Sequence, residues 1–230
     1  MIGAWDVIKR ALGSRGWQWA AVLTFLAGAL VAAVVPASEV VLLTQSVISV
    51  GVPFLTIRLA GQVRTAVGAR VPAVLLGAAV VSAVAGVLGV VLCVVALAVR
   101  ADPAQAAAPA VVLGSVLVQV GAGLLGTGLG MLLRPAWVAC AASVVVPLGV
   151  YGLLGGIEAL RPVQGWVTLY AAARNQLSGQ MGGLEWGQWA VVTLIWVVGL
   201  NLLAAARLRA AGVLVTGPEA SRPGPRTGTE

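Results

Sequence analysis

This chain offers chemistry two thiols, a scatter of hydroxyls and amides, and no imidazole. Cys93 and Cys140 each lie inside an apolar stretch, without a second Cys or His at the spacing a metal or redox centre needs, so both read as packing residues. Lack of histidine removes any Ser-His-Asp set and any H-E-x-x-H, and no G-x-x-x-x-G-K-[ST] loop is present to cradle phosphates. The expectation is therefore no catalytic residue, no metal site and no cofactor bound by this chain. What remains is polar but uncharged: Thr44, Gln45, Ser46 and Ser49 in one apolar run, with Gln119 and Asn201 in two others. In hydrocarbon such groups either hydrogen-bond one helix to another or line a pathway, and interhelical packing is the more frequent use. Asp, Glu, Lys and Arg are missing from the middle of every apolar run. Proton-driven carriers and pumps need such groups in the membrane to take up and release the coupling ion. If work is done against a gradient, its energy enters through another polypeptide.

The elements that must position these residues follow from composition. The chain has 230 residues, 60% of them hydrophobic and only 9% charged, with a mean hydropathy of +1.02; soluble domains carry about a quarter charged residues. A spanning helix takes roughly 20 mostly apolar residues, which leaves room for about five to seven spans and no large soluble domain. The net charge of +7 is spread between the apolar blocks rather than gathered on one face. It therefore sets membrane orientation and implies no nucleic-acid partner.

Residues 1–16, MIGAWDVIKRALGSRG, place Trp5, Ile8 and Leu12 at helical spacing with Asp6, Lys9 and Arg10 on the other side, which predicts an amphipathic helix in the membrane interface. Spans are predicted over 17–35, 40–57, 71–99, 109–133, 136–154 and 189–206. The second is the most polar, and the third is longer than one crossing needs, so it is tilted or projects beyond the membrane. In the fourth, Gly114, Gly121, Gly123, Gly126, Gly128 and Gly130 let helices approach closely, and a kink is expected in the fifth at Pro147. RLAGQVRTAVGAR, with Arg58, Arg64 and Arg70, reads as a short polar connection. Within the longest break, 155–188, GWVTLYAAARNQL predicts a short amphipathic helix on or partly within the membrane, or a re-entrant one. The tail 207–230 is rich in Pro, Gly and Ser and reads as disordered. Together these give an all-α membrane protein: an interfacial helix at 1–16, a six-helix transmembrane domain at 17–206 and a cytoplasmic tail. A signal peptide cut after Ala37 is the competing reading of the first apolar run, disfavoured by its aromatic amphipathic start.

Orientation follows from the basic residues. With the N-terminus inside, Lys9, Arg10, Arg15, Arg58, Arg64, Arg70, Arg134, Arg207, Arg209, Arg222 and Arg226 are cytoplasmic, eleven against Arg100, Arg161 and Arg174 outside. An even number of spans with both ends in the cytoplasm gives this bias in a multi-pass protein of the cell membrane.

The arrangement resembles a membrane subunit of an ATP-binding-cassette exporter of the ABC-2 type. The likeness covers the whole chain in architecture: the interfacial segment MIGAWDVIKRALGSRG, the basic connection RLAGQVRTAVGAR after the second span, and a last span ending in arginines. It is most specific over residues 121–213, where GLLGTGLGMLLRPAWVACAASVVVPLGVYGLL runs a glycine-rich fourth span through a Leu-Leu-Arg turn into an apolar fifth. Many relatives carry an acid near a Gly-Thr pair in the connection after the second span, and RLAGQVRTAVGAR has none. The resemblance implies a homodimer, or a heterodimer with a second permease, joined to separate ATPase subunits that bind the ATP. It makes Arg58, Leu59, Gln62, Val63, Arg64, Val67 and Arg70 the ATPase-coupling segment, with phospholipid headgroups as the other contact for the arginines. The implied substrate is hydrophobic or amphipathic: a drug, antibiotic, lipid or peptide. A non-transport assembly or structural protein is the alternative reading, and a channel or facilitative carrier is disfavoured because no charged ring or internal repeat is visible.

Overall fold

In lipid every backbone N–H and C=O has to be satisfied within the chain, so apolar runs of this length become helices. The structure, a computed structural model, describes residues 3–65, 70–100, 107–179 and 181–211, with the backbone alone for 62–65. Its helices are α1 (Ala4–Leu12), α2 (Arg15–Val34), α3 (Val40–Thr65), α4 (Val71–Ala98), α5 (Pro109–Leu132), α6 (Ala136–Gly156), α7 (Arg161–Val167), α8 (Leu169–Leu177) and α9 (Gly183–Ala210). Six of them, α2 to α6 and α9, are long and apolar enough to cross a membrane. The chain is thus a multi-pass integral membrane protein with the all-helical, six-span architecture expected from its sequence. Prolines punctuate the helices where a missing N–H is harmless: near the first residue of α4 and of α5, and just ahead of α6. Pro53 and Pro147 lie inside α3 and α6, which both run on through them.

The centre of the bundle is α3 against α5. The glycines of α5 make this contact possible: a Cβ at Gly126 would lie 2.6 Å from the Cα of Pro53, and one at Gly130 2.9 Å from the Cα of Ile57. Close backbone approach on small residues is what holds helices together where lipid is as apolar as any side chain. Around this pair α2 and α4 pack on α3, and α4, α6, α8 and α9 pack on α5. One end of the bundle gathers Val7 and Ala11 of α1 with Leu59 and Ala60 of α3, Val74 of α4, Met131 of α5 and Leu208 of α9. The far end gathers Ala32, Val40, Cys93 and Leu97. With six spans, both described ends of the chain lie on the α1 side.

Several boundaries differ from the sequence reading. The connection expected from Arg58 is helical through Thr65, because Leu59 and Ala60 are wholly buried against α1 and the neighbouring helices; a hydropathy window sees only the arginines. In α1 the buried residues are Val7, Ile8 and Ala11, whereas Trp5 and Leu12 are exposed. The helix expected within GWVTLYAAARNQL is two helices, α7 and α8, parted at Thr168. The last span begins at Gly183 rather than Trp189, because the Glu185 carboxylate accepts the Gly182 N–H at 2.9 Å and caps the first turn. It also continues to Ala210, so Arg207 and Arg209 are helical. The rest of the predicted tail, 212–230, lies outside the described residues.

A re-entrant hairpin over a mid-membrane cavity

Between α6 and α9 the chain enters the bundle and turns back. Helix α7 has 7 residues and α8 has 9, about 10 Å and 13 Å long, far short of the roughly 30 Å of hydrocarbon. Their junction is deep. The Trp196 indole N–H, halfway along α9, donates to the Val167 carbonyl at 2.7 Å, and Thr168 is 1% exposed. Leu169 belongs to the apolar cluster of Leu125, Leu129 and Ala139. Interrupted helix at this depth requires every polar group to find a partner. The Thr168 N–H and hydroxyl both donate to the Gln164 carbonyl, at 3.0 and 2.8 Å, and the Gln164 side chain donates to the Tyr151 carbonyl at 2.9 Å. The same Thr168 hydroxyl accepts from Ala171 N–H at 3.4 Å and starts α8. Trp196 itself sits in a π-helical stretch of α9, Leu194–Gly199, a local widening often found at functional sites.

The hairpin covers a cavity of about 180 Å³ bounded by α3, α5, α6, α8 and α9. Its walls on α5 run over 117–125 and on α6 over 143–148, the middle of both spans. Most of the lining is apolar. Ser46, Ser49 and Ser143 line it too, and each hydroxyl donates to a carbonyl of its own helix: Leu42 at 2.6 Å, Ser46 at 2.7 Å and Cys140 at 2.8 Å. Their oxygens therefore face outward as acceptors. Gln176 of α8 also lines the cavity. It is 2% exposed, and neither its Nε2 nor its Oε1 has a partner.

The polar residues singled out in the sequence fall into two groups. Ser46 and Ser49 reach the cavity. Thr44, Gln45 and Gln119 are 0% exposed inside the helix contacts. Gln119 Nε2 donates to the side-chain and backbone oxygens of Gln45, both at 2.9 Å, and Gln45 Nε2 donates to the Gly86 carbonyl at 3.4 Å, so one amide chain ties α5, α3 and α4 together. Asn201 Nδ2 donates to Leu124 at 2.9 Å and to Val197 at 2.7 Å, joining α9 to α5. Cys93 is buried at the far end and Cys140 packs partly buried beside Ala139. Of the expected coupling segment, Leu59 is core, while Arg58 and Arg70 are exposed, with the Arg58 guanidinium lying over Gly16 at the start of α2. Gln62, Val63 and Arg64 continue the α3 backbone, their side chains outside the described residues; Val67 lies outside them altogether.

Gln176, Ser143, Tyr170 and Thr193 line the cavity without having been singled out. One signal was there for Gln176. In GWVTLYAAARNQL it shares a helical face with Leu169 and Ala172, seven residues from the first, and an amide on a Leu and Ala face needs a reason. Compared with family models, curated proteins and solved structures, the chain finds no match.

Proposed function

We propose that this protein is the membrane subunit of an ABC-2 type exporter, moving a hydrophobic or amphipathic substrate with ATP hydrolysed by a separate ATPase subunit. The observation that carries this reading is α3, one unbroken helix of 26 residues, about 39 Å long. It is longer than the roughly 30 Å of hydrocarbon and carries Ser46 and Ser49 at the cavity, toward the end away from α1. A rod of this kind turns pressure on its end into displacement at the cavity. The described spans carry no Asp, Glu, Lys or Arg along their middle, which supports the same reading, since a coupling-ion relay needs such groups in the spans; Arg174 stands beside the cavity on α8.

In this reading the α1 end faces the cytoplasm. Lys9, Arg10, Arg15, Arg58, Arg70, Arg134, Arg207 and Arg209 lie at that end, against Arg100 and Arg161 at the far one and Arg174 on α8 beside the cavity. The ATPase presses on the last turns of α3 from Leu59 and on the connection that follows, and a second permease, identical or paralogous, completes the assembly. ATP is bound and hydrolysed on the partner.

The test is to look for an ATPase with a phosphate-binding loop in the neighbouring reading frames and to copurify it with this chain, followed by ATP hydrolysis in lipid. The reading expects a stable complex whose hydrolysis depends on the permease, and Arg64→Glu should uncouple it while membrane insertion is kept. If no ATPase copurifies and none alters transport, the exporter reading fails and an assembly or structural role takes its place.

A further inference from the structure

We infer that the cavity beneath the hairpin is a binding site for a single-chain amphiphile with a carboxylate headgroup, held by Arg174. The inference rests on the cavity and stands whether or not an ATPase drives the protein. Arg174 is the one charged residue on the cavity's described walls. It stands about 9 Å along α8 from the buried Thr168, between the depth of the junction and the far end of the bundle. A charge within the membrane is costly, and as a rule it faces a cavity or a partner of opposite sign. Among the described residues no carboxylate pairs with Arg174, so the guanidinium is open to an anion brought by a ligand.

Tyr170 and Arg174 are one helical turn apart on the same face of α8, and both line the cavity while remaining exposed. They therefore mark its rim, with a guanidinium within reach of the mouth and apolar walls from α3, α5 and α6 beneath. Val50 and Leu148 line it and are exposed too, so the mouth opens sideways out of this chain's bundle rather than only at one end. A ligand arriving from the membrane puts its tail inside and leaves its head on Arg174. Charge and size then select both parts. The planar guanidinium donates two parallel N–H bonds to a carboxylate, whereas a phosphate monoester brings a second negative charge that no other residue of the described walls meets. The hydroxyls of Ser46, Ser49 and Ser143 already donate to their own helices, which leaves the guanidinium to hold the anion. At about 180 Å³ the space is somewhat larger than a roughly 150 Å³ cavity that holds benzene, so it takes one ring or a short stretch of one chain and not both chains of a phospholipid.

The experiment measures dissociation constants by ¹⁹F NMR on the full-length chain in phosphatidylcholine nanodiscs, corrected for partition into empty nanodiscs, with ring-fluorinated 4-butylbenzoate and 4-butylbenzamide as probes. The carboxylate should bind about tenfold more tightly than its neutral isostere, the scale of one charge-assisted pair. Arg174→Gln should erase that advantage and leave the amide unchanged, whereas Arg161→Gln, which removes a far-end arginine that does not line the cavity, should keep it. Gly121 lines the cavity, and a Cβ there meets nothing within 4 Å, so Gly121→Leu fills the space without disturbing a neighbour and should abolish binding of both probes. Phosphatidylglycerol added to the nanodiscs should not displace the benzoate. The proposal is overturned if the wild-type chain does not prefer the carboxylate, if Arg174→Gln keeps the preference, if Arg161→Gln loses it equally, or if Gly121→Leu still binds. Displacement by phosphatidylglycerol would overturn it as well, making the site one for a lipid headgroup.

Discussion

Two sets of buried amides share the interior of this protein. Gln45, Gln119 and Asn201 spend their N–H groups on neighbouring helices, closing α3, α4, α5 and α9 into one body. Gln176, as deeply buried, spends neither of its polar atoms on the protein. Residue type and hydropathy are the same in both places; what differs is whether a facing helix brings a partner for the amide N–H. Uncharged polar residues in a span are thus construction where their N–H groups are met on a neighbouring helix, as at Gln45, Gln119 and Asn201.

The comparison can be broken most forcefully at two glycines five residues apart on α5. Gly126→Leu drives a side chain into the backbone of α3 at Pro53 and should cost more than about 3 kcal/mol, at the upper end of overpacking effects. Gel filtration should then find little monodisperse protein. Gly121→Leu points into open space and should elute as the wild type does; equal damage from both would place the α3–α5 contact elsewhere.

Smaller effects come from the amides. Gln119→Leu removes both donations to Gln45 and should lower stability to unfolding in detergent by about 1 kcal/mol, the scale of interhelical hydrogen bonds in membranes. Trp196→Phe deletes the bond to the Val167 carbonyl and should cost a similar amount of about 1 kcal/mol. It should also raise the labelling rate of a cysteine placed at Thr168; unchanged protection would mean that packing alone holds the hairpin. Gln176→Leu is the smallest change and opposite in sign. It removes an unpaired amide, so stability should rise by at most about 1 kcal/mol without ligand. A fall would mean that Gln176 is structural after all.

The six spans were legible because each is a long apolar run between prolines and arginines, and in lipid such a run has few alternatives to a helix. The ends were less so. The last turns of α3 depend on Leu59 and Ala60 packing against α1, and the first turn of α9 on the Glu185 cap; neither registers in average hydropathy. The second span stood out in the sequence as the most polar, yet the sequence left Ser46 and Ser49 indistinguishable from Thr44 and Gln45. Only the helix rotation separates them, sending the serines to the cavity and the other two to the packed face. Gln176 escaped because its meaning depends on where α8 lies, and that position is set by the turn at Thr168 and the reach of Trp196.

The exporter reading is tested most directly by transport itself. Proteoliposomes holding this chain with an ATPase that copurifies with it, oriented with the ATPase outward, should accumulate a hydrophobic dye when ATP is added. Accumulation should vanish without the permease, without ATP, or when the ATPase cannot hydrolyse it. Dye uptake that is the same with and without this chain would contradict the assignment.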